Sequence, residues 1–213
     1  MNIRTIATLL LMMACLKASA SVGLKLAHFD PRGDMGQYFK NTLSYEVYYS
    51  RDYGDSPFRG RIGLFYANMK PRLDSFPVYD VRIDYSTSTN TVLPGYLAYE
   101  RYRMMGMYID QSVRVFKREN FSAYAGIGLA VGYLEEVYDY GIESSIISSG
   151  ADHTYKIGGL RTYAQAGYML TGHIQLCAEL MHNWLTDTKW SGNYTHNTIG
   201  VGFYYYFNSQ KYQ

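Results

Sequence analysis

Phe121-Ser-Ala-Tyr-Ala-Gly-Ile-Gly-Leu-Ala-Val-Gly-Tyr133 alternates with period two from end to end. Phe121, Ala123, Ala125, Ile127, Leu129, Val131 and Tyr133 share one face; Ser122, Tyr124, Gly126, Gly128, Ala130 and Gly132 share the other. Such alternation marks a β-strand, because successive side chains leave the pleat on opposite sides. A soluble sandwich hides its apolar face and shows charge to water. Here the second face is mostly glycine and alanine, a poor coat for a solvent-facing sheet. It suits a narrow interior, where small residues leave room for a few long polar ones. The apolar face then looks outward.

The same scheme recurs on both sides of this stretch. Val22, Leu24 and Leu26 oppose Gly23, Lys25 and Ala27; Leu43, Tyr45, Val47 and Tyr49 oppose Ser44, Glu46 and Tyr48. Ile62, Leu64 and Tyr66 oppose Arg61, Gly63 and Phe65, and Ile109, Val113 and Val115 oppose Asp110, Ser112 and Arg114. Residues 160–170 and 174–180 carry Arg161, Gln165, Gln175 and Glu179 on their polar sides. The last strand, Gly200 to Phe207, has Val201, Phe203, Tyr205 and Phe207 on its apolar face. The apolar faces end in Tyr45, Tyr49, Tyr66, Phe121, Tyr133, Tyr168, Phe203 and Phe207, which are expected to form aromatic girdles at two lipid–water interfaces.

Short joins at 51–58, 117–120 and 171–173 alternate with long ones at 30–41, 70–105, 134–159 and 185–197. The resulting expectation is all-β: a closed, antiparallel, up-and-down transmembrane barrel of eight strands, with both termini on the short-turn side. Closure leaves no sheet edge for lipid to desolvate. Residues 79–85 also alternate, and 92–103 follow a small polar turn. They form either a hairpin beyond the membrane or two further strands of a ten-stranded barrel. Eight is the expectation, because 92–103 alternates poorly and no good turn follows it.

The N-terminus reads as a secretory leader over residues 1–20, leaving one barrel domain over 21–213. Arg4 supplies the positive region, Ile6 to Leu16 the apolar run, and Ala18-Ser19-Ala20 a small-x-small cleavage pattern. Cys15 after Ala14 raises a lipoprotein alternative, which Met12 and Met13 disfavour. Cleavage removes Arg4 and Lys17, so the 20 basic residues fall to 18 and balance the 18 acidic ones. That neutrality points to no nucleic acid. Cys177 is the one cysteine left, so no intrachain disulfide forms. No later segment is apolar enough for a transmembrane helix, yet 47% of the chain is hydrophobic and 24 residues are tyrosine. Tyrosine suits a boundary where an apolar ring meets lipid and its hydroxyl meets water.

Chemistry-bearing residues are sparse. Lys25, Arg61, Arg114 and Arg161 share the lumen with Glu46, Asp110 and Glu179 and are expected to pair, since unpaired buried charge is costly. A plug of ion pairs is expected in preference to a narrow channel, because eight strands leave a lumen just wide enough for side chains. The five histidines lack regular metal-ligand spacing. Gly126, Gly128 and Gly132 make lumen space within a strand and cradle no phosphate. Cys177 is expected to point inward as a small filler. No residue is assigned a catalytic, cofactor-binding or metal-binding role. The 134–159 segment is acidic, and Trp184, Trp190 and Tyr194 form an aromatic group at the last loop, suited either to recognition or to lipid headgroups.

The leader, the glycine-alternating strand Tyr124–Tyr133 and the terminal Val201-Gly-Phe-Tyr-Tyr-Tyr-Phe207 together resemble the small outer-membrane barrel superfamily of the OmpA transmembrane domain, OmpX and the opacity-type adhesins. The resemblance covers nearly all of the chain after its leader. It implies a Gram-negative outer-membrane location, outer-membrane lipid as the surroundings, and recognition of the final strand by barrel-assembly machinery; Asn208 to Gln213 extend past the Phe207 at which many members stop. The implied role is non-enzymatic, with loops serving envelope integrity or contact with an extracellular partner. The rival is a lipid A-modifying hydrolase using His182 or His196, with Asp187 and Ser191 nearby. A PagL-like deacylase resembles this region, but the serine which that family places two residues after its histidine is Trp184 here.

Overall fold

The computed structural model describes residues 19–53, 56–84, 89–142, 145–187 and 192–208. Most of the expected leader lies outside them, as do Trp190 and Ser191. The elements are β1 (Ser19–Pro31), α1 (Gly33–Tyr38), β2 (Thr42–Asp52), β3 (Phe58–Met69), β4 (Phe76–Asp84), β5 (Thr89–Arg118), β6 (Phe121–Ile142), β7 (Ser145–Met169), β8 (Ile174–Asp187) and β9 (His196–Tyr206). The hydrogen-bonded order is β3-β2-β1-β9-β8-β7-β6-β5, and β3 pairs back onto β5 from Phe58↔Val113 to Met69↔Tyr102. These eight strands form a closed antiparallel barrel, and β4 stands outside it. Of the two arrangements open to residues 79–85 and 92–103, the chain adopts the projecting hairpin: β4 pairs with the first part of β5, Phe76↔Leu97 through Asp84↔Thr89.

The two faces of the wall are distributed inside-out. Leu129 is 55% exposed and Val201 64%, whereas Arg61 and Glu179 are each 2% exposed. Val22, Leu64, Met107, Ile127, Leu160, Leu176 and Ile199 belong to the same outward belt. Phe121 and Tyr133 bracket it on β6. Twelve steps of about 3.3 Å, tilted roughly 40° from the barrel axis, separate those two rings by about 30 Å. That span matches an apolar band of about 25 Å with a girdle at each edge. Val201, Phe203, Tyr205 and Phe207 all face outward on and just after β9.

Two of the expected long loops are strand. Residues 134–142 and 145–159 belong to the far ends of β6 and β7, paired from Leu134↔Tyr155 to Ile142↔Ser145 with one register shift between Tyr140 and Ile142. Much of 70–105 lies in β4 and β5. The barrel closes as far as Met69↔Tyr102 and Ile157↔Asp187; beyond those pairs β4, β5, β6 and β7 continue as an open four-stranded sheet, a tower standing on the loop end. Strand pairing persists there without apolar alternation, and both faces of the sheet carry polar residues such as Glu135, Glu136 and Asp139.

Leu129→Arg, in the middle of the belt, is expected to destabilise the bilayer-inserted barrel by about 2–4 kcal/mol. Asp152→Arg, on the exposed tower, is expected to change stability by less than about 0.5 kcal/mol. Urea unfolding in lipid vesicles measures both.

Candidate functional site

Six strands each contribute one inward charged side chain to a closed cycle. Lys25 Nζ lies 2.8 Å from Glu46 Oε1 and 2.5 Å from Glu179 Oε1. Glu179 Oε2 accepts from Arg61 Nη1 at 2.6 Å, and Asp110 Oδ2 accepts from Arg61 Nη2 at 2.8 Å. Arg161 completes the circuit, 3.4 Å from both Asp110 Oδ1 and Glu46 Oε2. Cations and anions strictly alternate, and each carboxylate touches two cations. The cycle is neutral and almost fully buried. The two remaining barrel strands contribute glycine at this depth: Gly128 pairs with both Asp110 and Arg161, and Gly202 pairs with Lys25. A Cβ on Gly128 would stand 2.0 Å from Asp110 Oδ1, so that position has no space for a side chain.

Tyrosines fill the space around the cycle. The Arg161 guanidinium carbon lies 3.5 Å from the Tyr108 ring centroid, and that of Arg61 lies 4.3 Å from Tyr163. The ring faces add cation–π stabilisation where water is excluded. Toward the turn end, Arg59 makes a second ion pair with Asp52, at 2.6 and 3.2 Å. Its other donors reach Tyr124 Oη, Tyr206 Oη and Gln165 Oε1. Arg114 is not in the cycle. A β-bulge separates it from Phe116, and it lines the turn-end mouth beside Arg59 and Asp52, half-buried. The spaces among lumen residues are small, about 80 Å³ at that mouth and about 10 Å³ between Phe29, Glu46, Arg161 and His196.

Above the cycle, Phe29, Met35, Phe39, Met104, Leu134 and Leu185 form an apolar cover. Phe39 stacks on Tyr102 at 3.7 Å between ring centroids, and Arg72 Nε holds the carbonyls of Gly36 and Phe39 at 2.9 and 3.1 Å. On the outer side of the tower base, Glu135 takes hydrogen bonds from Arg101 and Arg103, which hold its carboxyl below the usual range. On the inner side Glu136 is pushed up by burial.

The loop-end residues do not come together. His182 lies on the outward face of β8, against Trp184 at 4.0 Å, and its Nδ1 meets Asn197 Oδ1. His196 is buried inside, stacked on Phe29 at 4.2 Å with Nδ1 3.1 Å from the Tyr194 carbonyl. The barrel wall separates the two imidazoles, and Asp187 is buried on the inner side. Trp184 faces outward while Tyr194 packs against the internal cover. Cys177 points inward, 3.8 Å from Tyr48 Oη.

No protein-family model and no curated protein matches the chain. Solved structures do. Neisserial surface protein A aligns with a TM-score of 0.53 and 12% identity, covering 88% of this chain and 97% of that one. A major outer membrane protein from Thermus thermophilus aligns with a TM-score of 0.56 and 10% identity, covering 90% and 100%. The chain therefore has the fold of the small outer-membrane barrels.

Removing one member of the cycle strands its partners. Glu179→Ala leaves Lys25 and Arg61 undercompensated, and a loss of about 3–5 kcal/mol is expected in urea unfolding of the vesicle-inserted barrel. Lys25→Met combined with Glu179→Leu is expected to cost less than the two single changes summed. A cost below about 1 kcal/mol for Glu179→Ala would mean that the cycle contributes little.

Proposed function

We propose that the protein is exported through a cleaved leader, inserts into the outer membrane, and works as a non-enzymatic anchor whose tower and loops contact a partner outside the cell or support the envelope. The observation that carries this reading is the outward apolar belt wrapped around a buried, neutral charge cycle. Such a wall is stable where lipid replaces water. The tower, standing past the girdle on the side of the longer loops, is the part of the molecule free to meet a partner.

The lumen on this reading is a plug. The ion pairs, the tyrosines around them and the cover of Phe39 and Met35 fill the interior, with spaces of about 80 and 10 Å³ among them. Catalysis at the loop end has little support: His182 and His196 lie on opposite sides of the wall, and Trp184 stands where a nucleophile would be needed.

Single cysteines give the test. Asp152→Cys on the tower is expected to react in intact cells with a bulky, membrane-impermeant maleimide, and Glu119→Cys at the turn end only after the outer membrane is permeabilised. Equal labelling of both in intact cells would contradict the orientation. In planar bilayers the purified protein is expected to give no steady single-channel conductance; a regular conductance would contradict the plug.

A further inference from the structure

The outward wall carries a groove of about 1050 Å³ that climbs across the barrel. It runs between two cross-strand rows of side chains. The upper row passes from Tyr45 through Tyr66, Met105 and Tyr133 to Lys156, each residue paired in register with the next. The lower row passes from Leu24 and Val47 to Val131, Gly158 and Thr186. The floor is backbone, because the residues between the rows turn their side chains into the lumen. One of them, Glu46, belongs to the charge cycle. Phe65, Gly106 and Ile157 follow it in the same row, each four residues nearer the loop end than the cycle-bearing Arg61, Asp110 and Arg161 of their own strands. The groove therefore starts at the depth of the cycle and rises about 10 Å toward the loop end.

Its upper end is cationic. Lys156 lines the groove, is exposed, and makes no ion pair among the described residues. One step above Met105 on the outer wall are Arg103 and then Arg101, half and well exposed, which share the single carboxylate of Glu135. On the outer wall three cations thus face the single carboxylate of Glu135; the other carboxylate at this end of the groove, Asp187, is buried on the inner side. Gly158, two residues from Lys156 on the same face, leaves a notch beneath it. A Cβ there would meet the Ala130 carbonyl at 3.4 Å and Val131 Cγ1 at 3.6 Å, ordinary contact distances, so crowding does not require glycine at this position.

We propose that this groove is a specific site for a phosphate-bearing, multi-acyl lipid of the loop-side leaflet. One acyl chain lies along the groove toward Leu24 and Val47, and a headgroup phosphate is held by Lys156 with help from Arg103. Charge complementarity selects the headgroup and the slanted trough selects a chain, a combination that the uncharged remainder of the belt does not offer. The assignment rests on the membrane reading above.

The test uses the mature chain in phosphatidylcholine nanodiscs doped with a small fraction of diphosphoryl lipid A, with retained lipid counted by native mass spectrometry. The wild type is expected to keep one lipid A. Lys156→Gln, which removes the charge, and Gly158→Leu, which fills the notch, are each expected to lower retention about tenfold. Ala164→Leu, on the outer wall away from the groove, is expected to leave retention unchanged, and inorganic phosphate is expected not to displace the lipid. Equal retention by wild type, Lys156→Gln and Gly158→Leu would overturn the site, as would displacement by inorganic phosphate. Each variant is first checked for a heat-dependent gel shift; a wild type without that shift would bring down the membrane reading instead.

Discussion

Six charged side chains from six strands close on one another inside a narrow barrel, almost fully buried. A lone ion in that space would cost several kcal/mol. The alternating cycle Lys25–Glu46–Arg161–Asp110–Arg61–Glu179 offsets the cost by giving every charge two opposite neighbours. It also constrains register. A one-residue slip of β1 would carry Lys25 to the lipid face and leave Glu46 and Glu179 without their shared cation. The glycines at 128 and 202 follow from the same crowding, since two of eight strands must yield their side-chain space to the charges of the others.

The exterior follows from the interior. With polar groups turned inward, each strand has only its apolar set to present outward, and the belt continues until Tyr133 on β6 and Trp184 on β8. Past the rim the outward apolar belt ends. There β5, β6 and β7 go on pairing with polar residues on both faces, and β4 adds to them as a fourth strand. One chain thus builds two kinds of sheet in succession, a closed one with no free edge and an open one beyond the rim.

Period-two alternation made the eight barrel strands legible, because the outward and lumen-facing sides of the wall carry opposite chemistries on neighbouring residues. It made depth much less legible. The acidic run at 134–142 lacks the apolar beat of a membrane strand and looks like a loop, although its backbone is still paired. Arg59 shares the parity of Arg61 and could have been found by extending that strand by two residues, with Asp52 as its partner across β2 and β3. Arg114 follows the inward parity of Asp110, but the bulge beside it at the turn end is invisible to a strict alternation. The tyrosines divide between two environments that composition cannot separate: Tyr45 and Tyr133 face out, while Tyr108 and Tyr163 lie under guanidinium groups in the lumen. His182, Trp184 and Tyr194 are near in sequence, yet the wall divides the first two from the third, because the chain re-enters the barrel at its loop end.

The central claim is that the alternating faces are those of a closed barrel in a membrane. Electrophoresis of outer-membrane fractions, with and without boiling, tests it most directly, since a hydrogen-bonded closed barrel resists detergent until heated. A different apparent mass for the unboiled protein in the membrane fraction is the expected result. A protein found in the soluble periplasm, with one mobility whether boiled or not, would contradict the claim.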